Sequence, residues 1–206
     1  MSRAPTGAEV LAALPLKAFT AAKGRLEGLL EPSARAALSR AMAERVTAAW
    51  VETGATVVVV TPDPAVAAWA RGFGLEVIAE PPGGGLNGAA AAAAAEAARR
   101  GRPWCIVHAD LPLLTPALAG AFTAALGPGI AVLAPSRQGG TNLLAAALPL
   151  AFAYGPRSFS RHLAAARGLE RRVMVTTGTA LDLDTPEDLQ GAAALPGGAW
   201  LRAYLT

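Results

Sequence analysis

Apolar residues in this chain fall into short unbroken runs, separated by longer stretches in which they recur every three to four positions. Positions 10–16 form the first run. Val57, Val58, Val59 and Val60 form a continuous β-branched run closed by Thr61-Pro62-Asp63-Pro64, and positions 75–79 form a shorter third run. Cys105, Ile106, Val107 and His108 make a fourth, closed by Asp110-Leu111-Pro112. Runs this short, ended by turn residues, predict parallel strands buried on both faces. Between them, 32–50 opens with Pro32-Ser33 and spaces Ala37, Leu38, Met42 and Val46 as a helix does, and 64–73 and 86–100 are further helical patterns. The alanine tract 89–95 reads as helix, since alanine is the best helix former and lets a helix approach a sheet closely.

The order β-α-β-α-β-α-β predicts right-handed crossovers and a doubly wound sheet. Beyond a helix at 115–126 the pattern changes. Strands at 130–134 and 142–148 are separated only by the turn 137–140, too brief for a helical crossover, so they should be antiparallel neighbours. A helix at 158–167, strands at 172–176 and 180–184, and a helix opening at Thr185-Pro186-Glu187-Asp188 follow. The expected class is α/β: one three-layer α/β/α domain over 1–206, its sheet mostly parallel and doubly wound with an antiparallel portion, without internal repeat or linker.

With 206 residues and 53% hydrophobic content, the chain is long enough for one well-buried core and short for two. A formal charge of +3 and a pI near 9.6 come from scattered basic residues, and with 5% aromatic content they speak against nucleic acid and for a small anionic ligand. Cys105 is the lone cysteine and reads as a small buried hydrophobe; with no internal disulfide available, a reducing cytoplasm is the simplest compartment. The first residues lack the apolar core of a secretory signal, and no run approaches the roughly 18 apolar residues of a membrane span, so a soluble protein without membrane contact is expected.

Candidate chemistry begins with the two lysines. Lys17 and Lys23 lie six residues apart just beyond the first strand, and every other cation in the chain is arginine. Lysine's compact charge suits a triphosphate, and open α/β sheets bind ligands beyond the carboxyl ends of their strands. Arg25 joins them; neither a P-loop nor G-x-G-x-x-G is present. Asp110 ends a buried strand, and Asp182 and Asp184 share one face of the expected strand 180–184. If that strand packs near Asp110, the carboxylates can hold Mg²⁺ against a nucleotide's phosphates; the competing role for Asp184 is a helix N-cap.

Asn87 is placed either to read a base edge or ribose or to cap the helix it opens. Thr141, after Gly139 and Gly140, and the segment Tyr154-Gly155-Pro156-Arg157-Ser158 both suit an anion, with N-capping the competing role for Ser158. His162 fits packing or surface better than a catalytic base, and two histidines with one cysteine argue against zinc.

Pro15-Leu16-Lys17 with Lys23-Gly24-Arg25-Leu26, Gly85-Leu86-Asn87, Ala109-Asp110-Leu111-Pro112, Gly140-Thr141-Asn142, the run from Tyr154-Gly155 through Ser158 to His162, and Leu181-Asp182-Leu183-Asp184-Thr185-Pro186-Glu187-Asp188-Leu189 together resemble the 2-phospho-L-lactate guanylyltransferase family over nearly the whole chain. The resemblance implies a nucleotide-diphospho-sugar-transferase-like fold and an Mg²⁺-dependent enzyme of coenzyme F-420 biosynthesis. Such an enzyme transfers GMP from GTP to 2-phospho-L-lactate, phosphoenolpyruvate or 3-phosphoglycerate and releases pyrophosphate. It also implies that Asp110 and Asp182 bind the metal and that Thr141, Gly155 and Ser158 surround the acceptor's phosphate. A molybdenum-cofactor guanylyl- or cytidylyltransferase is the rival enzyme, but its glycine-rich loop after the first strand is missing. A non-catalytic nucleotide-binding regulatory module is the rival of another class; Asp110, Asp182 and both lysines speak against it. The apolar stretch 195–205, with Trp200 and Tyr204, is suited to packing on the core or on a second subunit of a homodimer.

Overall fold

In the computed structural model, which describes residues 9–205, the early apolar runs are strands and the periodic stretches are helices. β1 (Leu11–Pro15), β2 (Thr56–Thr61), β3 (Glu76–Ala79) and β4 (Trp104–Val107) alternate with α1 (Pro32–Val51), α2 (Pro64–Gly72) and α3 (Gly85–Arg99). Then come α4 (Pro116–Ala124), β5 (Ile130–Pro135), β6 (Thr141–Ala146), α5 (Ser158–Ala165), β7 (Glu170–Val173), the short α6 (Thr177–Ala180) and α7 (Pro186–Ala194), with a 3-10 segment at Ala199–Tyr204. The strands form one sheet in the order β3-β2-β1-β4-β6-β5-β7. β6 runs antiparallel to both of its neighbours, and every other pairing is parallel. The expected α/β class with its antiparallel portion is therefore observed.

Strand alternation divides the core into layers. Val10, Ala12 and Leu14 turn toward Val46 and Trp50 of α1 and Phe122 of α4, while Leu11 and Ala13 turn toward α3 on the opposite face. α3 presents Ala89, Ala90, Ala93, Ala94 and Ala97 to the sheet, all buried, so the helix contributes nothing larger than a methyl group to this contact and packs against Leu11, Val58, Val60 and Ile106 of the strands. A further cluster joins Leu38 and Met42 of α1 to Leu183, Leu189 and Leu201. The Arg45 guanidinium lies 4.8 Å from the centre of the Trp200 ring, so the carboxyl-terminal stretch packs on this chain's own core.

Positions 180–184 are not a strand. Thr176 and Thr179 form a capping box that opens α6, which ends at Ala180, and 181–184 have no regular pairing. Leu183 N–H donates to the Asp110 carbonyl at 3.0 Å, which docks the segment on the loop after β4. Leu181 and Leu183 alternate because both enter the α1–α7 cluster, which imitates strand periodicity. The strand expected at 172–176 begins earlier, as β7, and its four residues are exposed. Among the described residues, no helix is long and apolar enough to cross a membrane.

Candidate active site

The chain winds from β1 to β2 and β3 on one side, then returns to place β4 on the other side of β1. Reversal at such a point leaves a crevice at the carboxyl ends of the strands. A cleft of about 370 Å³ opens there, lined by Lys17 after β1, by Lys23, by His108 and Asp110 after β4, and by Leu86 at the start of α3.

Lys23 holds this site together. It takes a left-handed φ of 59° as it enters the 3-10 turn Gly24–Leu26, and its ammonium donates to Asp110 Oδ2 at 2.7 Å and to Asp184 Oδ1 at 2.8 Å. Its side chain is only 7% exposed. Burial by itself would favour the neutral amine, but the charges of Asp110 and Asp184, and the bonds to both, outweigh it and raise the pKa. Asp110 behaves reciprocally: burial pushes its carboxyl up, and the charges of Lys23 and His108 with the Lys23 hydrogen bond bring it below its ordinary value. Its second oxygen, Oδ1, is buried and has no hydrogen-bond partner among the described residues. Asp182 has no such relief. Burial first, then the charges of Asp110 and Asp184, raise its pKa against hydrogen bonds from its backbone and Asn142.

Asp184 is free to meet Lys23 because other residues cap α7. Thr185 is the N-cap and accepts from Asp188 N–H at 3.2 Å, while Asp188 Oδ2 accepts from the N–H groups of Asp184 and Thr185 at 3.0 and 2.9 Å. Arg137 pairs with the other oxygen of Asp188. The N-cap role weighed for Asp184 thus falls to its neighbour. The two lysines also part company: Lys23 is buried between carboxylates, and Lys17 is exposed on the cleft with no hydrogen bond or ion pair to a described residue. Arg25, exposed, approaches Asp184 Oδ2 at 4.0 Å.

A second polar cluster adjoins the cleft. Ser158 Oγ donates to Thr141 Oγ1 at 3.2 Å, and Thr141 Oγ1 lies 2.9 Å from His162 Nδ1. Ser158 is not the N-cap of α5; that position is Arg157, in a left-handed conformation with φ 54°. A Cβ on Gly140 would meet Ser136 Oγ at 2.8 Å and Ser158 Oγ at 4.0 Å, so this glycine admits the serines. Gly155 has φ 119°, and its carbonyl accepts from Ser158 N–H at 3.1 Å. Asn87 does not cap α3, whose N-cap is Gly84; its side chain accepts from Tyr154 N–H at 2.7 Å and donates to the Tyr154 carbonyl at 3.5 Å. The ring of Tyr154 lies 5.6 Å from that of His108 and 4.6 Å from that of His162, joining cleft and cluster. Asp110, Asp182, Asp184 and Lys23 are thus gathered in one place, Thr141 and Ser158 in the other, and Asn87 between them.

Two residues assigned no site role from sequence belong here. Asn142 donates to the Thr179 carbonyl at 3.1 Å and supports Asp182, while His162 is fully buried and bonded through both ring nitrogens. For Asn142 a signal was legible: Thr141-Asn142 opens a strand whose six residues are all buried, and polar groups there need partners.

The family description guanylyl transferase CofC like matches residues 10–205. This chain belongs to that family. A phosphoenolpyruvate guanylyltransferase of Rubrobacter xylanophilus is 40% identical over 91% of this chain and 95% of its own length. One of Sphaerobacter thermophilus is 38% identical over 92% of this chain and 95% of its own. Among solved structures, a Desulfovibrio desulfuricans G20 protein assigned as a nucleotide-diphospho-sugar transferase superposes with a TM-score of 0.75 at 17% identity, covering 95% of this chain and 94% of that one. A Methanothermobacter nucleotidyl transferase gives a TM-score of 0.61 at 14% identity, over 95% and 99%. At these identities the structural likeness concerns the fold alone, and the family membership makes the chain a guanylyltransferase.

Proposed function

We propose that this guanylyltransferase transfers GMP from GTP to a phosphorylated three-carbon acid, with phosphoenolpyruvate favoured over 2-phospho-L-lactate and 3-phosphoglycerate, and that it serves coenzyme F-420 biosynthesis. The observation that carries the reading is the adjacency of a cleft at the β1–β4 switch, lined by Lys17, Lys23 and Asp110, and a hydroxyl cluster, Thr141 with Ser158, linked through His108 and Tyr154. The names of the 40%-identical relatives favour phosphoenolpyruvate.

In this reading the triphosphate enters the cleft beside Lys17, Lys23 and Arg25, and the acceptor's phosphate sits against Thr141, Ser158 and Gly155. An oxygen of that phosphate attacks the α-phosphorus in line, the bond from the α-phosphorus to the bridging β-oxygen breaks, and pyrophosphate leaves with the electron pair. The attacking phosphate is already ionised, so no proton transfer is required. Lys17 meets the charge developing on pyrophosphate, and Lys23 favours the ionised form of Asp110.

The residues fit a hard divalent cation: Asp110 offers the unpartnered oxygen Oδ1, and Asp182 is crowded by two other acids. These two carboxylates would be the protein's share of the coordination, the usual arrangement where substrate phosphates supply other ligands. Asp110 and Asp182 would hold Mg²⁺, which would supply charge neutralisation at the transferred phosphate. Incubation with GTP, Mg²⁺ and each of the three acids, read by pyrophosphate release, tests the proposal. Release with phosphoenolpyruvate is expected; no release with any of the three would overturn it.

A further inference from the structure

His162 is buried, and each of its ring nitrogens has one partner from a different part of the chain. Ala153 N–H, which can only donate, lies 3.0 Å from Nε2. Nε2 must therefore carry a lone pair, and the hydrogen of the neutral ring is on Nδ1. Burial, then the nearby charges of Arg161 and His108, hold the ring pKa down at about 4, so it is neutral at ordinary pH. Nδ1–H then points at Thr141 Oγ1, 2.9 Å away, and the same oxygen accepts from Ser158 Oγ at 3.2 Å. A hydroxyl has two acceptor positions and one hydrogen. Both acceptor positions of Thr141 are filled from within the protein, and its hydrogen has no acceptor among the described residues.

We infer that His162 is a positioning residue for the acceptor: by fixing the direction of hydrogen bonding through Thr141, it leaves that hydroxyl's hydrogen available only to an incoming anion. The inference rests on the reading that the acceptor phosphate binds at Thr141 and Ser158. It also gives the other ring nitrogen a task. Through Ala153 N–H, His162 anchors the start of the loop whose next residue, Tyr154, is held by Asn87. Thr141 and Ser158 are 1% and 2% exposed, so their hydroxyls meet few groups besides each other and His162.

The two nitrogens can be tested separately. Asparagine places an amide near the position of Nδ1 and retains a donor for Thr141; glutamine reaches the position of Nε2 and retains an acceptor for Ala153. Steady-state kinetics of His162→Asn, His162→Gln and His162→Ala, each varied in acceptor and in GTP, are compared with Thr141→Val. The expected result is an acceptor KM raised about tenfold or more in the Gln and Ala variants, equivalent to ~1.4 kcal/mol. The GTP KM stays near wild type, and the Asn variant recovers most of the acceptor affinity. Unchanged acceptor KM in the Ala variant, equal damage in Asn and Gln, or loss of GTP binding in every His162 variant would each overturn the inference. If Thr141→Val leaves acceptor KM unchanged, the acceptor reading itself fails; if that variant raises it and His162→Gln does not, only the role of His162 fails.

Discussion

The ammonium of Lys23 lies 2.8 Å from a carboxylate oxygen of Asp184, 161 positions further along the chain. With the 2.7 Å bond to Asp110, this contact ties the loop after β1 to the loop after β4 and to the approach to α7. It also makes the three carboxylates tolerable at one end of the sheet.

Lys23→Ala should cost stability as well as turnover. It leaves Asp110 and Asp184 side by side without their counter-charge, and breaking a buried pair on one side typically costs about 3–5 kcal/mol. Lys17→Ala touches no protein partner and should shift stability by less than about 0.5 kcal/mol. Its effect should fall on GTP, with KM raised ~10–100-fold for a lost charge-assisted contact worth about 1.5–3 kcal/mol. Thermal denaturation beside initial-rate kinetics separates the two lysines, and equal stability losses would contradict the assignment.

Asp182→Asn should abolish most turnover yet leave the protein as stable as wild type or more so. The carboxyl is raised by burial and by Asp110 and Asp184, so ionising it opposes folding at neutral pH. Asparagine keeps the size and removes the repulsion, a trade of function for stability common at strained sites. Denaturant melts at pH 7 check this, and a clear loss of stability would count against it.

Acid should destabilise the protein through His162. Its pKa falls from 6.5 to about 4 on folding, so the unfolded chain takes up the proton first. Its stabilising contribution is complete above pH 6.5 and is lost as pH falls through about 4, at no more than ~1.4 kcal/mol per pH unit. Asp110, lowered in the folded state, adds loss at still lower pH. Stability measured from pH 7 to 5 should slope less in His162→Asn than in wild type.

Gly178→Ala should impair the site from outside it. A Cβ there would lie 2.4 Å from Leu118 Cδ1 and 2.6 Å from the Leu113 carbonyl oxygen, so backbone must move. About 1–3 kcal/mol of stability should be lost to overpacking. Because the displaced segment leads directly to Asp182, turnover should fall while GTP affinity falls less; unaltered turnover would show that this packing does not position the carboxylate.

The sequence by itself determined the strand and helix order through β6, because unbroken apolar runs and alanine-rich periodic stretches each allow one buried arrangement. Brevity of the 137–140 turn determined that β5 and β6 are antiparallel, and Lys17, Lys23 and Asp110 could be placed at strand ends for the same local reason. The segment bearing Asp182 and Asp184 was misread, since Leu181 and Leu183 alternate for a cluster built by α1 and α7, which no local pattern reveals. Partner choice was likewise decided only in three dimensions. Whether Asp184 caps a helix or meets Lys23 depends on Thr185 and Asp188 completing the cap between themselves. Whether His162 is packing or part of the site depends on a backbone N–H nine residues away and a hydroxyl on β6. Spacing in sequence specifies which face a side chain takes; the direction of a hydrogen bond is set by the donors and acceptors that the fold brings to it.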